Sequence, residues 1–248
     1  IALGSSDLNY SQDRDVLASN YQDRITAGGN IYSSAAPDGD PNNFLNNYVI
    51  TGDSGPLNMT AGGSIVLTDL FLDVNEVDGN LSRNATIAAN GGILDLGSSS
   101  ISVDESLTLT SNSNIIFDSP TLTTINGGDM DINAGGTLTF QDGTLHSNGF
   151  LHLHGDGDVS LGTSTLTVNT GGRTNPLSIP AGSSMAPAAD LLLGDAQMSI
   201  SSSGNPVGNT GLVLTATGDI ALGSSDLNYF QNRNVLASSY QDQITAGG

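Results

Sequence analysis

The sequence predicts an all-β fold: a parallel β-solenoid, or β-helix, with three short strands per rung. Three observations predict it. Residues 1–29 recur as residues 220–248, apolar residues alternate in short pairs along the chain, and Gly, Asn, Asp and Ser fill the intervals between pairs. A long repeat containing a shorter one is the signature of a stacked, quasi-one-dimensional architecture.

The long repeat comes first. IALGSSDLNYSQDRDVLASNYQDRITAGG returns as IALGSSDLNYFQNRNVLASSYQDQITAGG at an offset of 219 residues (220 − 1), with 24 of 29 positions identical. The five differences are Ser11/Phe230, Asp13/Asn232, Asp15/Asn234, Asn20/Ser239 and Arg24/Gln243. All fall between residues 11 and 24, whereas Ile1, Leu3, Leu8, Tyr10 and Ile25 are unchanged. Apolar positions are held while the polar stretch drifts, as expected of a core beneath a decorated surface. The expected domain plan is one tandem unit, 1–219, running as a continuous solenoid, with 220–248 starting the next unit.

Within the unit, many segments carry three apolar-x-apolar pairs. Residues 151–168 are the cleanest, with Leu151/Leu153, Val159/Leu161 and Leu166/Val168. The middle pair recurs at Ile1/Leu3, Ile65/Leu67, Leu94/Leu96, Ile115/Phe117, Leu138/Phe140, Leu191/Leu193 and Ile220/Leu222, with Ile31 marking one more turn. The preceding pair recurs at Leu57/Met59, Leu107/Leu109, Met130/Ile132 and Leu212/Leu214. The following pair recurs at Leu8/Tyr10, Leu72/Val74, Ile101/Val103, Met198/Ile200 and Leu227/Tyr229.

Side chains alternate across a strand, so each pair is a short strand with one face inward. The Gly- and Asn-rich intervals supply turns. A β-sandwich wants longer strands and hairpin signals, which are missing. No segment keeps a 3.6-residue period, so no helix is expected. Counting middle pairs gives about eight rungs per unit, a rise of about 38 Å at roughly 4.8 Å per parallel strand.

Two stretches interrupt the rhythm. Residues 32–56 and 169–190 hold six of the eight prolines. Proline cannot donate to a central ladder, so both are expected to be loop excursions from the prism. Residues 11–24, with Arg14 and Arg24 among Asp13, Asp15 and Asp23, form a third expected excursion.

Composition narrows the function classes. The chain has 25 acidic residues, five basic residues that are all Arg, and a net charge of −20. Such a surface repels nucleic acid and anionic lipid, so no nucleic-acid partner is expected. No apolar run approaches 18 residues, so no membrane insertion is expected. The absence of cysteine excludes disulfides and thiolate metal sites.

Segments such as LHLHGDGDVSLGTSTLTVNTGG and ILDLGSSSISVDESLTLTSN resemble filamentous haemagglutinin-type exoproteins of Gram-negative bacteria. That resemblance covers most of the chain and implies a right-handed parallel β-helix in a large secreted or cell-surface adhesin. Extracellular or cell-surface localisation follows from the same resemblance.

Candidate chemistry is sparse. His146, His152 and His154 are the only histidines, and all three occupy outward or turn positions. His146 belongs to the third strand of one rung and His152 to the first strand of the next. Convergent metal ligation is not expected of them. Asp129 and Asp131 in GGDMDI, and Asp156 and Asp158 in HGDGDV, resemble fragments of calcium-binding turns without the full spacing. Adventitious Ca²⁺ is the one ion they suggest.

The five Arg, at 14, 24, 83, 173 and 233, lie beside no dense Asp cluster, unlike the catalytic faces of pectin-cleaving β-helices. No enzyme activity, catalytic residue, cofactor-binding residue or metal site is therefore expected. Asn9, Asn58, Asn80 and Asn84 begin glycosylation sequons. The expected role is a structural segment of a long extracellular fibre, an adhesin-like stalk or filament whose partners are head-to-tail copies of its own repeat. The rival is an adhesive module that grips a carbohydrate, a cell surface or matrix polysaccharide through the loops at 32–56 and 169–190. Only Tyr32, Phe44 and Tyr48 gather there as aromatics.

Overall fold

The computed structural model describes residues 23–32, 48–51, 56–67, 70–74, 83–170, 177–183, 188–203, 210–232 and 241–247. Rung one is β1 (Asp23–Ala27), β2 (Ile31–Tyr32) and β3 (Tyr48–Thr51); rung two is β4 (Leu57–Ala61), β5 (Ile65–Val66) and β6 (Leu70–Val74). Rung three is β7 (Ala85–Ala89), β8 (Leu94–Gly97) and β9 (Ser100–Val103); rung four is β10 (Leu107–Ser111), β11 (Ile115–Phe117) and β12 (Thr121–Thr124). Rung five is β13 (Met130–Ala134), β14 (Leu138–Phe140) and β15 (Thr144–Ser147); rung six is β16 (Leu151–Gly155), β17 (Val159–Ser160) and β18 (Thr165–Thr170). Rung seven is β19 (Leu177–Ala181), β20 (Leu191–Leu192) and β21 (Gln197–Ser203); rung eight is β22 (Thr210–Ala216), β23 (Ile220–Ala221) and β24 (Asp226–Asn232). A ninth rung starts with β25 (Gln241–Ala246).

Every strand pairs in parallel with its counterpart one rung away, giving three sheets of nine, eight and eight strands. No helix occurs among the described residues. The chain is a parallel β-solenoid with three strands per rung, as the pair spacing predicts.

The pairs do stack. In sheet two the register runs Ile31, Ile65, Leu94, Ile115, Leu138, Val159, Leu191, Ile220. All but the last are fully buried. Each such aliphatic contributes about 1.5–3 kcal/mol of transfer free energy. In the next inward column of sheet two, Phe117 and Phe140 stack with ring centroids 4.7 Å apart.

A third inward column of sheet one holds only small residues, including Ala27, Ala61, Ala89, Ser111, Ala134 and Gly155. At the corner that follows, successive rungs approach so closely that side chains are excluded. A Cβ on Gly91 would lie 2.3 Å from the Gly62 carbonyl oxygen. At the next corner the turn Leu-Gly-x-(Ser/Ala) repeats, and Gly97, Gly162, Gly194 and Gly223 take φ values of 49°, 54°, 59° and 59°. Only glycine enters that region without cost.

The loop expectations need cutting back. β3 lies inside 32–56, β19 lies inside 169–190, and Asp23 and Arg24 belong to β1 rather than to an 11–24 excursion. Residues 11–22, 33–47, 52–55, 171–176 and 184–187 of those stretches are outside the described residues, as are the expected pairs Ile1/Leu3 and Leu8/Tyr10. Pro180 misled the reading. It sits within a central strand, between β16 and β22. A proline removes one donor, but Leu177, Ser178 and Ala181 still register with β16, and its ring takes an outward position. Its carbonyl oxygen lies 3.2 Å from His154 Nδ1 of the rung before. Tyr32 and Tyr48 likewise belong to strands of different sheets, and Phe44 is outside the described residues.

Candidate functional site

Alternation that buries one face of each strand displays the other, so candidate chemistry sits on the outer sheet faces. On sheet one, His152 and His154 project from β16 with near-parallel rings, their centroids 6.1 Å apart. His152 Nδ1 lies 2.8 Å from Asp131 Oδ1 of the rung before. A carboxylate only accepts, so that nitrogen carries the proton it donates. His154 Nε2 lies 3.2 Å from Asp156 Oδ1.

Burial pushes the Asp131 carboxyl upward, but the His152 bond and charge, the Asn133 amide and the His154 charge outweigh it and hold it below the ordinary 3.8. The stability this carboxylate contributes is present above 3.8 and is lost as pH falls through the lowered value. His146 lies on sheet three, within reach of Asn148 Oδ1 at 3.3 Å and Asn169 Nδ2 at 3.4 Å. Among the described residues no three His, Cys, Asp or Glu side chains converge as a metal centre.

The acidic turns have a structural occupation that the sequence reading missed. Asn84 Oδ1 accepts from the Ser106 amide at 3.0 Å, Ser106 Oγ from the Asp129 amide at 3.3 Å, and Asp129 Oδ1 from the Phe150 amide at 3.1 Å. At another corner Asp158 Oδ1 accepts from the Asp190 amide and Asp190 Oδ1 from the Asp219 amide, both at 2.8 Å. Each side-chain oxygen receives a backbone N–H of the following rung, where the ladder is interrupted by a turn. The same bond uses the amide oxygen of the Asn84 sequon. At Asn58 the Oδ1 accepts from Thr60 Oγ1 at 2.9 Å; Asn9 and Asn80 are outside the described residues.

Arg83 does meet carboxylates. Arg83 and Asp104, both buried, form an ion pair across one rung, and the Arg83 amide donates to Glu105 Oε2 at 3.1 Å. Asn126 Nδ2 donates to the second Asp104 oxygen at 2.6 Å. The residues are 21 apart in sequence, close to one rung of chain. The arrangement cross-links a corner of the solenoid.

The outer face of sheet three carries two hydroxyl-rich columns. Its first outward column runs Ser100, Thr121, Thr144, Thr165, Gln197, and its second runs Ser102, Thr123, His146, Thr167, Ser199, with no register shift. Eight of these ten residues carry hydroxyls and none carries a formal carboxylate charge. Asp73 precedes the strip opposite Ser102, and Asp226 follows it opposite Gln197.

No family model, curated protein or solved structure matches the chain. The architecture, three stacked parallel sheets around an aliphatic interior, is what the chain has in common with the haemagglutinin-type β-helix expectation. No helix of the described residues is long and apolar enough to cross a membrane.

Proposed function

We propose that the chain is a structural segment of a long repetitive fibre, an adhesin-like stalk or filament of the filamentous haemagglutinin type, on a cell surface or outside the cell. Its partners in that reading are neighbouring copies of its own repeat, head to tail, and its role is mechanical rather than catalytic.

One observation carries the reading. β1 and β25 contain the same text, Ile25-Thr26-Ala27 and Ile244-Thr245-Ala246. β1 is seen with its following neighbour, Ile25 opposite Met59; β25 is seen with its preceding neighbour, Ile244 opposite Leu214. Overlaid, they give one strand with both edges paired and both sides packed, which is how a rung sits inside a continuous stack. From first to ninth strand of sheet one the advance is eight rungs per repeat.

The net charge of −20 keeps neighbouring fibres apart at low ionic strength.

Immunogold labelling of intact cells with antibody raised against the repeat tests the reading. Label along extracellular filaments is expected. Label that appears only after permeabilisation would contradict it.

A further inference from the structure

We propose that His154, Asp156 and His152 form a site for a divalent transition-metal cation of the Zn²⁺ class on the outer face of sheet one. Ligand spacing along the chain gives no hint of it, because the groups that orient the two rings lie one rung to either side.

His154 carries the inference. Its Nδ1 lies 3.2 Å from the Pro180 carbonyl oxygen of the next rung, and its Nε2 lies 3.2 Å from Asp156 Oδ1. The carbonyl and the ionised carboxylate only accept, and a neutral imidazole has a single N–H to give. With that proton on Nδ1, facing the carbonyl, the Nε2 lone pair points at a carboxylate with nothing between them. A cation in the contact removes the conflict. The spacing fits one: two ligands held at roughly 2.1 Å by one ion lie about 3.0 Å apart at a right angle and about 3.4 Å apart at a tetrahedral angle. A second proton would remove the conflict too, and the titration below separates the two.

His152 supplies the third ligand. Its Nδ1–H is held by Asp131 Oδ1 of the rung before, which leaves the Nε2 lone pair free to coordinate; Nε2 has no hydrogen-bond partner among the described residues. A metal-bound histidine characteristically has its other nitrogen held by a carboxylate or a backbone carbonyl, and each ring here has one such holder, Asp131 and Pro180. The rings stand two residues apart on β16, 11° from parallel, with centroids 6.1 Å apart. Two imidazoles sharing one tetrahedral ion at roughly 2.1 Å hold their centroids about 5 Å apart. As they stand, no three ligating side chains converge among the described residues. Closing the rings by about 1 Å completes the set, and the two side chains, 34 % and 25 % exposed, have room on the solvent side to turn.

The ligand set selects the ion. Imidazole nitrogen suits Zn²⁺, Cu²⁺ and Ni²⁺, whereas Ca²⁺ and Mg²⁺ take oxygen. Asp158, the other carboxylate of HGDGDV, has its Oδ1 committed to the Asp190 amide, so Asp156 is the one that turns to the metal. The open side leaves the remaining coordination positions to water. A net charge of −20 raises the local concentration of cations.

The test titrates the 248-residue chain with Zn²⁺ by calorimetry in a buffer that does not bind the metal, while NMR follows the imidazole resonances. One saturable equivalent is expected, with the His152 and His154 resonances shifting and those of His146, on sheet three, unchanged. His154→Gln and Asp156→Asn should each weaken binding by roughly tenfold or more, and Asp131→Asn, at a positioning residue, by roughly tenfold with the stoichiometry kept. His146→Gln should leave binding unchanged, and excess Ca²⁺ should not displace the Zn²⁺. The resonances are read on the unmodified chain, so the outcome stands even where a variant fails to fold. Absence of saturable binding, shifts at His146 as large as those at His152 and His154, equal loss in His154→Gln and His146→Gln, or displacement by Ca²⁺ would overturn the proposal.

Discussion

The repeated corner Leu-Gly-x-(Ser/Ala) contains an internal control for buried hydroxyls. Ser99, Ser164 and Ala196 occupy the same position in three rungs, each donating its amide to the leucine three residues earlier at 3.0, 3.0 and 3.1 Å. All three are fully buried. Ser99 Oγ accepts from the Leu70 amide at 2.9 Å, and it reaches the Leu67 carbonyl at 3.1 Å. Ser164 Oγ is buried with no hydrogen-bond partner among the described residues.

Removing the first hydroxyl strands a buried N–H, at about 1–3 kcal/mol. Removing the second relieves a desolvation penalty of similar size, partly offset by the small void left behind. We therefore expect Ser99→Ala to destabilise by about 2 kcal/mol and Ser164→Ala to stabilise by about 1 kcal/mol. The chemical change is the same in both, so turn propensity cancels. Urea unfolding followed by circular dichroism, with m-values checked for constancy, reads the difference. Equal destabilisation by the two substitutions would refute the reasoning.

Leu161→Asp puts a carboxylate at a fully buried position and should cost several kcal/mol, whereas Ser160→Asp, on the outward side of β17, should be nearly silent in thermal melts. Gly194→Ala combines a φ of 59° with a Cβ 2.5 Å from the Gly162 carbonyl oxygen, so a loss of about 2 kcal/mol or more is expected by denaturant titration. Burial raises the Asp95 carboxyl above its ordinary 3.8, with the Gly97 N–H opposing and the Asp118 charge adding to the rise. Its ionisation therefore weighs against folding above the raised value and not below 3.8. Asp95→Asn, which keeps an oxygen for the Gly97 N–H at 3.1 Å, should melt higher than the parent at pH 7 and lose that advantage as pH falls through 3.8.

What was legible in the sequence was whatever the interior makes periodic. The pairs Leu151/Leu153, Val159/Leu161 and Leu166/Val168 became three strands of one rung because a solenoid repeats one alternation three times per turn. Ala85/Ile87, Leu122/Thr124 and Leu145/Ser147 escaped that reading because one inward partner is small or hydroxylated. Thr124 and Ser147 are nonetheless buried, and their hydroxyls reach the Gly128 and Phe150 carbonyls at 2.7 and 3.0 Å. β19 was hidden by Pro180, whose missing donor matters at one residue and not across the strand.

The outer faces were harder to read. His152 and Asp131 are 21 residues apart, and a sequence alone does not reveal that this distance is one turn of the solenoid until the register is known. The same period relates Asn84, Ser106 and Asp129. Their spacing by about one rung, each just before a strand, was the available signal that they serve the backbone rather than a cation.

The central claim is that the solenoid runs unbroken through the repeat boundary. Small-angle scattering and electron microscopy of chains carrying one, two and three copies of the 219-residue unit test it most directly. The account predicts a straight rod that lengthens by about 38 Å per added unit, eight rungs at about 4.8 Å each. A bend or spread of angles at the junction, or an increment that departs from eight rungs, would contradict it.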